Sequence, residues 1–323
     1  MDRREFLKRV GMTGAAVVGS VAGAWYLHNL PPEERRGKTL KAYDVELDPS
    51  TPELAIARGK DVEQLVRAAL GVMGGIGTFV QKGDVVLVKA NVAFDRSPKL
   101  GATTSPEVLG AVVRLCREAG ARKVIVADNP INQPESAFFK SGIRQAALEA
   151  GAEIIYPYPS EFEELYIGGE VLTNTWPMFY GPFKQATKVI GIAPLKDHNL
   201  CYASMTMKNW YGLLGGGRNR FHQDIHGIIA DFAHMMKPTL VILDATRVLV
   251  RNGPTGGSLN DVVPGDTVIA GVDMVAVDAF GYELLRSIRQ TGPETLGYLE
   301  QATARGLGNR DWRSLRWQEV QIG

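Results

Sequence analysis

Four basic side chains, Lys89, Lys196, Lys208 and Arg218, stand in short polar clusters separated by long apolar stretches. Their neighbours are amides, carboxylates and imidazoles: Lys89-Ala90-Asn91, Asp128-Asn129-Pro130, Lys196-Asp197-His198 and Lys208-Asn209-Trp210-Tyr211-Gly212. Ammonium and guanidinium groups are what a carboxylate or phosphate ligand requires for neutralisation. Gly215-Gly216-Gly217 immediately precedes Arg218, and successive glycines let backbone amides approach an anion closely. A flexible loop accounts for them equally well. No Gly-Lys-Ser or Gly-Lys-Thr follows, so this is not a Walker motif. His222 and His226 are four apart and share one face if their segment is helical. That spacing suits two ligands of a divalent metal, with His198 as a third. Gln223 follows His222, so the glutamate of the zinc-protease signature is missing. Surface or capping histidines show the same spacing. The catalytic candidates are Lys196, His198 and Lys208. The ligand-binding candidates are Lys89, Asn91, Asp128, Asn209, Gly216, Arg218 and Asp244. The metal candidates are His198, His222 and His226.

These residues need a scaffold that gathers them. Asp84-Val85-Val86-Leu87-Val88 is a continuous apolar run, the pattern of a strand buried on both faces. Strands are also expected at 123–127, 153–155, 188–193, 239–243 and 267–271. A helix follows Ser105-Pro106-Glu107 and stops at Gly120, with Ser105 as its cap. Further helices are expected at 134–150 and from Met274 to about Ser287. The alternation predicts an α/β fold with a mainly parallel sheet and helices on both faces. Residues 156–187, rich in Pro, Gly and aromatics, read as a small β or loop insertion.

In such a sheet, ligands bind outside the carboxyl ends of the strands. Five expected strands end in charged or amide residues: Lys89 and Asn91, Asp128, Lys196 to His198, Asp244, and Asp273. Singly each is most simply a cap or turn residue, and Asp273 is well placed to cap the helix after it. Together they are better explained by a shared cleft. Asn252-Gly253-Pro254-Thr255-Gly256-Gly257 reads as a tight turn with a glycine-rich exit.

Val88-Lys89-Ala90-Asn91, Thr104-Ser105-Pro106-Glu107, Val126-Ala127-Asp128, Lys196-Asp197-His198, Lys208 to Gly212, His222, Lys237-Pro238, Asp244-Ala245 and Val275 to Asp278 occur in an order that resembles the domain-of-unknown-function 362 family. The resemblance covers roughly residues 40–290. It implies no reaction. The family's usual Lys-Pro-Asn is Lys89-Ala90-Asn91 here. Some relatives carry ferredoxin-like iron–sulfur modules. Cys116 and Cys201 are the two cysteines of this chain, too few to hold such a cluster alone.

The 323 residues carry 36 Lys and Arg against 35 Asp and Glu, a formal net charge of +1. That balance argues against a protein that coats nucleic acid. Arg3-Arg4-Glu5-Phe6-Leu7-Lys8, followed by a Gly- and Ala-rich apolar run and Ala22-Gly23-Ala24, closely resembles a twin-arginine export signal. Residues 1–24 are thus expected to engage the twin-arginine translocase and carry the chain to the periplasm or cell exterior. They are either cleaved or retained as an anchor, the only membrane contact expected. Residues 25–38 read as a linker and 39–323 as a single α/β domain. The expected function is binding of a small anionic molecule in a polar cleft, with a divalent metal as the cofactor the histidines would suit. The alternative is a non-catalytic binding protein or a subunit of a membrane-associated complex.

Overall fold

The computed structural model describes residues 37–323 and, before them, Asp2, Arg4, Glu5 and Ser20. The signal or anchor expected at 1–24 and the linker at 25–38 fall, apart from these residues, outside the description. No helix among the described residues is long and apolar enough to cross a membrane.

Residues Leu40–Gly323 are built on a 9-stranded sheet. Its strands are β1 (Leu54–Arg58), β2 (Val85–Lys89), β3 (Lys123–Ala127), β4 (Glu153–Ile155), β7 (Lys188–His198), β8 (Tyr202–Ser204), β9 (Leu240–Leu249), β10 (Val262–Gly271) and β11 (Trp317–Gln321). A separate antiparallel ribbon, β5 (Phe162–Tyr166) with β6 (Thr175–Phe179), fills the expected insertion. The order across the main sheet is β11-β1-β10-β9-β7-β2-β3-β4, with β8 beside β7. Pairing is parallel from β9 through β7, β2 and β3 to β4, and between β1 and β11. β10 runs against both its neighbours.

Alternate residues of the strands feed two cores, as a sheet covered on both faces requires. Val86, Val88, Val124, Val126, Ile190 and Ile192 pack with α1 (Val62–Val72), α2 (Pro106–Glu118), α3 (Pro134–Lys140) and α4 (Ile143–Glu149). Leu87, Ile125, Val189, Val241, Leu243 and Ile269 pack on the other face. Their partners are the short α5 (Thr206–Asn209), α6 (Ile225–Met235), α7 (Met274–Arg289) and α8 (Gly297–Ala304). Ser105 caps α2 by accepting from Val108 N, as its sequence context suggests.

The structure departs from the expected elements at three places that bear on function. The strand expected at 188–193 runs on to His198. Pro194 looked like its end, yet it sits where the pairing with β9 slips register, and the strand continues by pairing with β8. Lys196 and His198 are therefore strand residues, not loop residues. The strand expected to stop before Asp244 also continues, to Leu249. The helix expected at 134–150 is two, because Gly142 adopts φ 75°, a left-handed conformation that α3 cannot pass through. The elements β1, α1, β8 and β11 were not expected at all.

Candidate functional site

β2, β3 and β7 are parallel neighbours, so their carboxyl ends lie at one rim of the sheet. A cavity of about 100 Å³ opens there. Lys89 is the last residue of β2 and Asp128 follows β3, which places their side chains side by side. Lys89 Nζ lies 2.6 Å from Asp128 Oδ1, and both side chains are almost fully buried. Asp128 Oδ2 also accepts from Val92 N at 2.6 Å, and Oδ1 from Asn129 N at 2.9 Å.

From this pair a chain of polar contacts crosses the cavity floor. Lys89 Nζ donates to Asn209 Oδ1 at 2.8 Å, and Asn91 Nδ2 donates to the same oxygen at 3.2 Å. Asn209 Nδ2 in turn reaches the carbonyls of Lys89 and Ile192. Lys196 Nζ donates to the carbonyl of Ala102 and to Asn91 Oδ1 at 3.4 Å. Every one of these side chains is 7% exposed or less. Gly212 closes over the pair: a Cβ there would fall onto Asp128 Oδ1 and 2.7 Å from Lys89 Nζ.

Strand alternation explains the Lys196-Asp197-His198 run. Successive side chains point to opposite sides, so Lys196 and His198 line the cavity together. Asp197 points away, pairs with Arg289 Nη1 at 2.9 Å and accepts from Gly253 N. The run is one motif in sequence and two roles in space.

The far wall comes from α5 and the segment after it. The Lys208 ammonium, on a partly exposed side chain, sits 5.0 Å over the Tyr211 ring and makes no hydrogen bond or ion pair with the described residues. Arg218 spends its guanidinium on the carbonyls of Leu214, Asn129 and Pro130 at 3.0–3.2 Å, none of them a carboxylate. His222 also lines the cavity.

The electrostatics follow from these placements. Lys89, Lys196, Lys208 and Arg218 face the cavity with Asp128 as its carboxylate. Burial lowers the pKa of all four cations. Lys196 falls to about 7, through burial first and the nearby Lys208 charge second, with Asp128 opposing. It is therefore half neutral near physiological pH. Burial, then Lys208 and Lys196, hold His198 far below the ordinary imidazole range, so it is neutral. His222 is lowered too, mainly by burial.

The two neutral rings carry their hydrogens differently. His198 Nδ1 accepts from Leu200 N at 3.2 Å, which puts the hydrogen on Nε2. His222 Nδ1 lies 3.1 Å from the Asn219 carbonyl and 3.0 Å from the Tyr211 hydroxyl, whose own hydrogen goes to the Arg218 carbonyl at 2.6 Å, so both neighbours accept, Nδ1 is the protonated nitrogen and Nε2 keeps its lone pair. The rim thus holds one imidazole donor, one imidazole acceptor and one lysine poised between charged and neutral forms. Such a set can bind an anion and move a proton on it.

Of the sequence candidates, Lys89, Asn91, Asp128, Lys196, His198, Lys208, Asn209, Arg218 and His222 meet at this cavity. Gly216, Asp244 and His226 do not. Gly216 is exposed and packs beside Pro177 and Trp176 of the β5–β6 ribbon, so the glycine run serves that contact. Asp244 is buried within β9, where it accepts from Ser105 N, Thr246 N and Thr246 Oγ1 and anchors the start of α2. His226 stacks on Tyr298 at 6.0 Å. It is parted from His222 because a 3₁₀ turn over Arg218–Asp224 precedes α6, so the two do not share one helical face. Asp273 lies at the opposite rim, because β10 runs against the parallel strands. There it accepts from Val275 N, Ala276 N and Asn309 N. No three or more His, Cys, Asp or Glu among the described residues form a group suited to a metal ion.

Phe94, Ile131, Tyr211, Gly212 and Pro254 also belong to the lining but were not among the candidates. Tyr211, Gly212 and Pro254 stand inside motifs the sequence had already flagged. Phe94 and Ile131 are apolar loop residues, which carry no chemical signature of their own.

Fold and rim together define an α/β protein with an excess of positive charge at the carboxyl edge of a mostly parallel sheet. A family model described as a domain of unknown function, DUF362, matches residues 86–283, more than half the chain. The chain belongs to that family. It is also similar to a thylakoid-associated protein of Synechocystis, 27% identical over 258 residues, covering 75% of this chain and 74% of the relative. Two solved structures resemble it in part. One is a protein from Thermotoga maritima, with 12% identity, 76% of this chain and 60% of that one covered, and a TM-score of 0.38. The other is the lactate racemase apoprotein from Thermoanaerobacterium thermosaccharolyticum, with 16% identity, 71% and 56% covered, and a TM-score of 0.35. The chain spans less than two thirds of either structure, and neither likeness bears on function.

Proposed function

We propose that this chain binds a small anion, a carboxylate or phosphate, at the rim of β2, β3 and β7, and exchanges a proton with it. One observation supports this above the others: four buried or half-buried cations face a cavity whose own carboxylate is a single aspartate. Uncompensated charge of one sign in a shielded space is costly unless a ligand of opposite sign supplies the balance. Lys208 holds the least-engaged of these charges and meets the anion first. Lys196, with its pKa near 7, is the proton acceptor, and His198 Nε2–H is a donor to the same ligand. The cavity suits an anion of a few heavy atoms rather than a nucleotide.

The test is calorimetric titration with sulfate, phosphate and acetate, alongside thermal denaturation. Binding of at least one anion, weakened in Lys208→Ala, is expected. No heat and no rise in Tm at tens of millimolar with any of the three overturns the reading.

Three accompanying proposals rest on other observations. The paired Arg3-Arg4 supports export by the twin-arginine route, and intact mass of the protein recovered outside the cytoplasm decides between cleavage after Ala24 and retention. The thylakoid association of the Synechocystis relative favours the second reading, a membrane-associated component. A divalent metal would have His222 Nε2 as its protein ligand and need oxygens from the bound anion, because His198 Nδ1 accepts from Leu200 N and its Nε2 carries the hydrogen. Elemental analysis before and after chelation, in wild type and His222→Ala, tests that.

A further inference from the structure

Around the charged floor the cavity has an apolar mouth. Ala93, Phe94, Ile131 and Pro254 line it together with the cations. Phe94 is 7% exposed, and its ring lies 5.1 Å from Lys196 Nζ, so apolar surface begins directly above the amine. Ile131 is 68% exposed, although it belongs to the lining. Leu200, whose amide bonds to His198, is 47% exposed.

Ile131 is not on a loose loop. Its amide donates to Ala93 O at 2.9 Å, and Asp95 N reaches Asn132 Oδ1 at 3.2 Å. Arg218 Nη2 grips the carbonyls of the two residues before it, Asn129 at 3.0 Å and Pro130 at 3.2 Å. The same guanidinium that charges the cavity therefore fixes the position of the exposed isoleucine. A β-branched side chain held in water beside a cationic cavity presents ordered apolar surface to whatever enters.

Resting on the anion reading, we propose that the ligand is amphiphilic: an anionic head at Lys196, Lys208 and Arg218, with an aliphatic tail of several carbons lying over Phe94 and Ile131. Charge complementarity selects the head, and the volume admits little more than the head. The tail then leaves through the mouth, where Ile131 is the surface it meets. Carboxylates and phosphate monoesters share this chemistry.

Two homologous probe series test it by calorimetry: acetate to octanoate, and methyl to hexyl phosphate. Full burial of a methylene is worth about 0.8 kcal/mol, roughly fourfold in affinity. At a half-open mouth we expect about two- to threefold per methylene in the series whose head group binds, which also identifies the head. Ile131→Ser lowers that gain per methylene. Phe139→Ser, equally exposed at 69% but outside the lining, leaves the gain as it is. Affinity that is flat along the series that binds overturns the amphiphile proposal while leaving the anion site standing. So does a gain per methylene that Ile131→Ser does not change. Failure of every head group, acetate, methyl phosphate and inorganic phosphate alike, overturns the anion reading and this proposal with it.

Discussion

Two sets of buried charges in this molecule behave in opposite ways. Away from the cavity the buried carboxylates are consumed by structure. Asp278, on α7, accepts from Thr206 N, Thr206 Oγ1 and Met207 N and so holds the start of α5. Asp231, on α6, takes three amides from residues 170–172 and pairs with Arg305. Asp244 and Asp273 do the same for α2 and α7. At the rim the situation reverses. Lys89 has Asp128, but Lys196 is held by carbonyl and amide oxygens, Arg218 by carbonyls, and Lys208 by an aromatic face. Partial charges order those cations without neutralising them. A buried charge with its hydrogen bonds filled points to architecture, whereas buried charge of one sign left without counter-charge points to a ligand.

Substitutions can break this contrast. The largest effect is expected for Lys89→Met. It strands Asp128 in the interior, and loss of one partner of a buried pair costs about 3–5 kcal/mol, read as a fall in urea midpoint. Asp278→Ala leaves the amides of Thr206 and Met207 unanswered and should cost about 2–3 kcal/mol, with anion affinity altered far less than stability. Lys208→Ala should do the opposite. Since the Lys208 ammonium makes no hydrogen bond to the described residues, Tm should move little, while sulfate affinity falls about tenfold. Equal loss of stability in the Asp278 and Lys208 variants would erase the distinction between the two sets.

Proton linkage sharpens it further. The folded pKa of Lys196, about 7, lies below the ordinary 10.5. Between those values the unfolded chain binds more protons than the folded one, so this group makes stability rise with pH across that window. A bound anion favours the charged amine. Sulfate, whose own charge is constant here, should therefore bind up to about tenfold more weakly at pH 8 than at pH 6, with proton uptake measurable in buffers of different ionisation heat. Lys196→Met should flatten both dependences. The smallest effect is expected at Arg58, which pairs with Glu319 at 2.7 Å with both side chains more than a third exposed or nearly so. Arg58→Ala should cost under about 1 kcal/mol, because water already screens that pair.

Much of the cavity was legible because its parts are local. Lys89, Asp128 and Lys196 each sit beside an apolar run that announces a strand, and a parallel sheet sends strand ends to one rim. Asp273 shows where that reasoning fails. It ends a strand as Asp128 does, yet nothing local says that β10 runs the other way. His226 shows a second limit. Four-residue spacing implies a shared face only if one helix spans it, and the 3₁₀ turn before Ile225 breaks that condition. Lys196 and His198 were placed at the correct rim for a partly wrong reason, since they extend β7 instead of following it.

The sequence alone determined the alternation of strands and helices, the two apolar faces of the sheet, the caps at Ser105 and Asp273, and the family. These depend on spacings of a few residues, which a linear chain displays directly. The tertiary structure alone decided which charges find partners. Lys89 meets Asp128 and Asn209, while among the described residues the Lys208 ammonium rests on a ring, because these neighbours come from distant segments and strand direction sets who faces whom. Neutralisation is a property of contacts in space, and it separates the carboxylates that build this protein from the cations that wait for an anion.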